Sequence, residues 1–144
     1  MTIEFKTFGQ GDTGLLWQQI DTLPHDGSHR TTNLMRFEGH SLHSFPETST
    51  VYGFVVAAHT VFSVARVNER MLNHGDWFRV SGADLLVADS DAVVIVAEVE
   101  DHTAPAVFGG PVEPKGRLRY IDGCSDTVLA SPPRLGDPLS LIHI

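Results

Sequence analysis

Several features that would point to particular protein classes are scarce in this 144-residue chain. Cysteine occurs once, at Cys124, so no intrachain disulfide can form. No apolar run approaches the roughly 20 residues that a membrane-spanning helix needs. The N-terminal residues 1–6 lack the basic start and apolar stretch of a signal peptide. These absences predict a cytoplasmic protein that does not enter a membrane.

Positive charge is also scarce. Lysine occurs only at Lys6 and Lys115, and 10 basic residues face 18 acidic ones, for a net charge of −8. Proteins that bind phosphate backbones carry clustered positive charge, whereas the arginines here are scattered. Nucleic acid is therefore not an expected partner. Histidine, by contrast, is abundant, with 8 copies, which suggests a metal-binding or pH-dependent site.

The middle of the chain is rich in residues that favour β-strands. Val51–Val67 and Ala92–Val99 are dense in β-branched and other apolar side chains, and the glycine turn Leu72–Phe78 lies between them. Turn signals recur about every 8–12 residues, which is typical of all-β sandwiches and barrels. The length fits one domain, residues 1–144. We therefore expect a single all-β domain.

Several local assignments follow from composition. Residues 39–49 are predicted to form a loop, and residues 50–67 to form two strands that bend near His59. Proline and glycine interrupt residues 101–116, and residues 117–130 read as a hairpin. The apolar residues 139–144 are expected to form a strand that pairs with the barrel or with a second subunit.

The succession of Tyr52–Val56, the Leu72–Phe78 turn and the Ala92–Glu98 strand resembles the cupin superfamily over residues 34–100. The segment Gly116–Asp126 resembles the link between two barrels in some two-cupin proteins, so the chain looks like an N-terminal cupin unit. The resemblance implies a jelly-roll barrel of the double-stranded β-helix type. The C-terminal hairpin and tail, residues 101–144, would lie outside its core.

The metal motifs of the cupin superfamily are degenerate in this chain. Its metal-binding members carry His-x-His and a downstream Glu in one motif, and a further His in a second motif. The His-x-His positions fall near Phe45 and Glu47, and the Glu position falls on Tyr52. The last position falls at Leu85 or Leu86, which cannot bind a metal. The resemblance therefore implies a barrel that has lost its metal, and no cofactor is expected.

A nonstandard metal site is the alternative. His40, His43 and Glu47 precede the Tyr52 strand, and His59 follows it. Imidazole and carboxylate ligands suit Zn, Fe, Ni or Mn, and an open coordination position would permit dioxygenase or isomerase chemistry. In the simpler interpretation, His40 and His43 are solvated loop histidines.

Three other side chains are candidates for ligand binding. Arg36 and Arg66 lie among apolar strand neighbours and could clamp a carboxylate or phosphate if they point inward. Outward-facing arginines are the alternative for both. Tyr52 and Phe54 share one strand face, which either lines a pocket or fills the core.

The sequence thus supports three functional hypotheses. The first is a small-molecule-binding cupin without a metal, the second is the metal-dependent enzyme, and the third is a structural half of a larger assembly. A homodimer is expected, since small oligomers favour closed two-fold symmetry. No Ser-His-Asp spacing, phosphate loop or Cys-x-x-Cys pair is present, so no catalytic residue is assigned.

Overall fold

The computed structural model describes residues 2–3, 14–23, 26–57, 65–88, 90–119, 124–134, 137 and 140–143. Within these ranges the chain forms twelve strands and no helix, which confirms the predicted all-β class. The strands are β1 (Thr2–Ile3), β2 (Gly14–Thr22), β3 (His29–Glu38), β4 (Ser41–Ala57), β5 (Ala65–Val67), β6 (Arg70–Leu72), β7 (Trp77–Val87), β8 (Val93–Val99), β9 (Val107–Gly109), β10 (Leu118–Arg119), β11 (Ser125–Ala130) and β12 (Ser140–His143).

Nested antiparallel pairs organise the larger sheet. Strand β5 pairs with β6, β4 pairs with β7, and β3 pairs with β8, so each hairpin encloses the previous one. Two further ladders, β4 with β8 and β5 with β7, join these pairs edge to edge. The resulting order is β1-β2-β3-β8-β4-β7-β5-β6, with β9 added beside β7.

Strand β4 is divided into two halves by its partner. Ser41–Phe45 pairs with the second half of β7, and the ladder resumes at Thr50 opposite Ser81. Only Gly82 lies opposite the extra residues of β4, at a φ of 65°. A Cβ at Gly82 would lie 3.0 Å from the Glu47 Cα, so glycine suits both the left-handed backbone and the close approach.

The main core gathers inward-facing side chains from both halves of the curved sheet. Val51, Val55, Val94 and Val96 come from the β4–β8 region, and Leu85 comes from the second half of β7, all at 1% exposure or less. The complete cluster is Met35, Phe37, Phe45, Val51, Val55, Ala65, Val67, Leu72, Phe78, Val80, Ala83, Leu85, Val87, Ala92, Val94 and Val96. Alternation along each strand places their neighbours on the opposite face.

The smaller sheet has the order β10-β11-β12. Its β10–β11 pair is the hairpin predicted for residues 117–130. The tail also forms a strand, but β12 pairs with β11 and not with the larger sheet. Ala130 of β11 packs with Tyr52 and Val99, which joins the smaller sheet to the larger one.

Two local predictions are wrong. The loop predicted for residues 39–49 is mostly strand, because Ser41–Phe45 finds a cross-strand partner about 40 residues away in β7. Turn-forming residues 81–84 also predict two short strands, residues 77–80 and 85–88, but the structure has one strand, β7, with Gly82 at a left-handed φ. The two-strand prediction for residues 50–67 agrees with β4 and β5, while the proposed bend at His59 lies outside the described residues.

Candidate ligand-binding cleft

The structure does not bring the three predicted ligand-binding residues together. Arg36 lies on β3 between the core residues Met35 and Phe37, faces away from the core, and forms an ion pair with Glu38. Tyr52 is buried beside Val99 and Ala130. Arg66 is exposed on β5, on the other half of the larger sheet. These side chains therefore do not line one pocket.

The alternative metal ligands are also dispersed. His40 is exposed in the turn before β4, with a left-handed φ of 62°, and Glu47 is exposed in the break of β4. Among the described residues, no three His, Cys, Asp or Glu side chains form a group that could hold a metal ion. His59 lies outside those residues, so the site that includes it stays a prediction.

His43 lies at the edge of the core, where its side chain is exposed to solvent and contacts aromatic rings. It lies opposite Leu85 in the β4–β7 ladder, so its side chain shares the inward face. Its ring centroid is 4.5 Å from that of Phe45 and 5.0 Å from that of Phe37. The exposed imidazole therefore packs against two aromatic rings of the core.

A cleft of about 510 Å³ opens between the larger and smaller sheets. This volume falls in the usual range for small-molecule sites, about 300–1,000 Å³. Its described lining consists of Trp77, Gly110, Pro111, Val112, Glu113, Arg117, Leu118, Thr127 and Val128. Side chains from β7, from the connection after β9 and from both β10 and β11 thus converge on one opening.

Trp77 forms the floor of this cleft at the start of β7. It lies opposite Phe54 on one side and Gly109 of β9 on the other. A Cβ at position 109 would lie 2.3 Å from the Trp77 ring, so only glycine lets the indole lie against this strand. Trp77 thus contributes part of a large aromatic ring to the cleft lining, while the ring also packs against the Tyr52, Val99 and Ala130 cluster.

Polar groups flank the Trp77 face. Arg117 Nε donates a hydrogen bond to Glu113 Oε2 at 3.0 Å, and this bond lowers the pKa of Glu113. The Thr127 hydroxyl oxygen is shielded from solvent and has no hydrogen-bond partner among the described residues. An unpartnered buried hydroxyl is energetically costly, so Thr127 is a polar residue of the lining that the described residues leave unsatisfied.

A second polar cluster joins β4 to the C-terminal segment. Thr50 Oγ1 is 2.9 Å from His102 Nδ1, His102 Nε2 is 3.0 Å from Asp137 Oδ1, and Arg134 Nε donates to Asp137 Oδ2 at 3.0 Å. Burial alone would raise the pKa of Asp137, but the Arg134 and His102 side chains outweigh it and lower the pKa.

This hydroxyl–imidazole–carboxylate chain resembles a nucleophilic triad only in its order. Thr50 is fully buried, and its hydroxyl donates to the His102 carbonyl oxygen at 2.7 Å. No substrate can reach that oxygen, so the cluster fastens the C-terminal segment to β4. Sequence analysis missed it because its members are separated by 52 and 35 positions and share no motif.

Arg79 on β7 also contacts the C-terminal segment. The residue is only 4% exposed. Arg79 follows Trp77 by two positions in β7, so both side chains lie on the same face of the strand. Its guanidinium donates to the carbonyl oxygens of Pro105 at 3.0 Å and Ser131 at 2.6 Å. The two bonds fix the chain before β9 and the end of β11, which flank the cleft.

Comparison of the chain with protein-family models, with curated proteins and with solved structures finds no match. Within the part of the chain that the structure describes, no helix has the length and apolar character to cross a membrane.

Proposed function

We propose that this protein is a cupin-like jelly-roll barrel that binds a small organic anion in the Trp77 cleft without catalysing a reaction. The cleft is the observation that carries the proposal. The Trp77 indole, the apolar side chains of Val112 and Val128 and the Arg117 guanidinium line a volume suited to a small ligand.

The strand pairing supports the jelly-roll part of the proposal. A jelly roll arises when a long antiparallel ribbon of nested hairpins rolls up and its turns pair edge to edge. The nested pairs β3–β8, β4–β7 and β5–β6 form such a ribbon, and the β4–β8 and β5–β7 ladders are the edge contacts. Core residues from both halves of the curved sheet pack together as this rolling requires.

The surroundings of His43 support binding outside the barrel and without a metal. Its inward neighbours are Phe37, Phe45 and Leu85, none of which offers a metal ligand. Metal sites in proteins require three or more ligands. Since large side chains fill the core, a ligand finds more room in the cleft between the sheets.

The cleft lining indicates a flat apolar ligand with one negative charge. Trp77 offers an extended ring face, and Arg117 offers a planar guanidinium at the solvent edge. The Arg117 guanidinium donates hydrogen bonds to Glu113, so an incoming carboxylate competes with the Glu113 carboxylate for the same donor.

A matched pair of probes tests this proposal. Naphthalene-2-carboxylate and naphthalene-2-carboxamide share the same ring and differ in charge. We expect isothermal titration calorimetry to show binding of both, with the carboxylate bound about tenfold more tightly, which corresponds to about 1.4 kcal/mol. Arg117→Gln should abolish this preference. Glu113→Gln should strengthen carboxylate binding, because it frees the guanidinium.

Trp77→Ala should weaken both probes by a similar factor, since it removes the ring face and leaves the charge. Trp17→Ala is the control, because Trp17 lies on β2 and does not line the cleft. Equal affinities for the two probes in the wild-type protein, or unchanged binding in Trp77→Ala, would refute the proposed site.

A further inference from the structure

Four outward-facing side chains form a row across four strands of the larger sheet; Leu42, Arg66 and Met71 are exposed and Leu86 is partly buried. Leu42 of β4 lies opposite Leu86 of β7, Leu86 lies opposite Arg66 of β5, and Arg66 lies opposite Met71 of β6. Side chains of directly opposed residues lie on one face of a sheet. We name these four residues the outer row. Three steps of about 4.8 Å give it a width of about 14 Å.

The outer row is unusually apolar for a surface. Leu42 is 71% exposed and Met71 is 53% exposed, although their neighbours Leu72 and Leu85 are buried. In a two-layered β-protein the outward face of a strand normally carries polar side chains. Contiguous apolar patches on a sheet face mark interaction sites.

One positive and one negative side chain lie on the same sheet face as these apolar residues. Arg66 is exposed in the middle of the outer row and forms no ion pair with any described side chain. Asp84 precedes Leu86 by two residues on β7, so its side chain shares the outward face. The Asp84 carboxylate is exposed and accepts a hydrogen bond from Ser44 at 2.6 Å.

We infer that a second copy of this chain covers the outer row and forms a two-fold dimer. Arg66 and Asp84 are diagonal neighbours, about 7–8 Å apart along the sheet. A two-fold axis that passes between them places Arg66 of each protomer opposite the partner's Asp84, and it places apolar side chains against apolar side chains. The patch thus matches itself in both charge and apolar character, as an isologous interface must.

Light scattering after size-exclusion chromatography, over the micromolar range, tests this dimer. The wild-type chain is expected at twice the monomer mass and Leu42→Asp at the monomer mass. Ile20→Asp is the matched control, because Ile20 is 47% exposed on β2, outside the outer row, and this variant should stay dimeric. If circular dichroism shows that Leu42→Asp does not fold, Met71→Ser tests the same patch and should also be monomeric.

A charge swap identifies the predicted pairing. Arg66→Asp and Asp84→Arg should each weaken dimerisation about tenfold, because each removes two symmetric surface ion pairs and opposes like charges. The double variant Arg66→Asp/Asp84→Arg should restore wild-type affinity. A monomeric wild type, a dimeric Leu42→Asp, or a double variant no tighter than the single ones would overturn the inference.

Discussion

Tyr52 illustrates what strand alternation can and cannot predict. The sequence places Tyr52 and Phe54 on one strand face, and leaves open whether that face lines a pocket or fills a core. In the structure Tyr52 is 7% exposed and packs with Val99 and Ala130, so it belongs to a small second core. Alternation assigns residues to faces, but only the position of β11 decides what covers a face.

The Tyr52 phenol should ionise at a higher pH than an ordinary tyrosine. Burial raises the pKa of its phenol above 10.0, and the nearby charge of Arg79 offsets this only in part. Because the folded-state pKa is raised, its contribution to stability is complete below pH 10.0 and is lost as the pH rises through the folded value. In a Tyr120→Phe variant, tyrosinate absorbance should therefore have its midpoint above pH 10.0.

The reciprocal variant, Tyr52→Phe, is the control and reports the other tyrosine of the chain. A midpoint for Tyr52 at or below the ordinary tyrosine value would mean that the phenol is exposed to solvent and that β11 does not cover it.

Strand β4 shows why local composition misassigns an element. Histidine, proline and serine in residues 39–49 predict a loop, yet Ser41–Phe45 is paired strand. The pairing depends on β7, far along the chain, and no window of neighbouring residues contains that information. The fold class and the two strands within residues 50–67 were predictable, because local runs of β-branched residues indicate strands without any knowledge of their partners.

The cleft was not predictable for a similar reason. Its walls come from β7, from the connection after β9 and from the β10–β11 hairpin, which tertiary packing alone brings together. Trp77 could be recognised as a candidate from its place after the Gly75 turn, but Thr127 carries no signal in the sequence. Arg36, Tyr52 and Arg66 were predicted instead because they lie in runs of apolar residues that are recognisable as strands.

Arg79 should control how firmly the smaller sheet is held. Arg79→Lys retains the charge but cannot span the carbonyl oxygens of both Pro105 and Ser131. A hydrogen bond to a charged group contributes about 1.5–3 kcal/mol, so we expect amides in Ser125–Ala130 to exchange at least about tenfold faster. Exchange in Val93–Val99 should change little.

Arg66→Lys is the matched control for this hydrogen-exchange experiment, because the exposed Arg66 side chain forms no ion pair with any residue that the structure describes. Uniform acceleration throughout the chain in Arg79→Lys would contradict a local fastening role, and so would unchanged exchange in β11.

The stability of the whole molecule should respond to acid through Asp137. The Asp137 side chain is 7% exposed, and Arg134 and His102 lower its pKa below 3.8 despite the opposing effect of burial. A lowered folded-state pKa contributes stability that is present above the unfolded value and is lost as the pH falls through the folded one. The melting temperature should therefore fall as the pH drops below about 4.

Asp137→Asn should melt at a lower temperature than wild type at neutral pH and should show a shallower decline in acid. Glu69→Gln removes one exposed carboxylate in the turn after β5 and is the charge-matched control. Parallel melting-temperature curves for wild type and Asp137→Asn would show that this carboxylate does not couple the C-terminal segment to the rest of the fold.

Nuclear magnetic resonance of the isotopically labelled protein shows most directly where a ligand binds. During titration with naphthalene-2-carboxylate, we predict that the largest chemical-shift changes fall on Trp77, Val112, Thr127 and Val128, around the cleft. Changes concentrated instead on Phe37, His43 and Phe45 would place the ligand at the end of the main core and contradict binding in the Trp77 cleft.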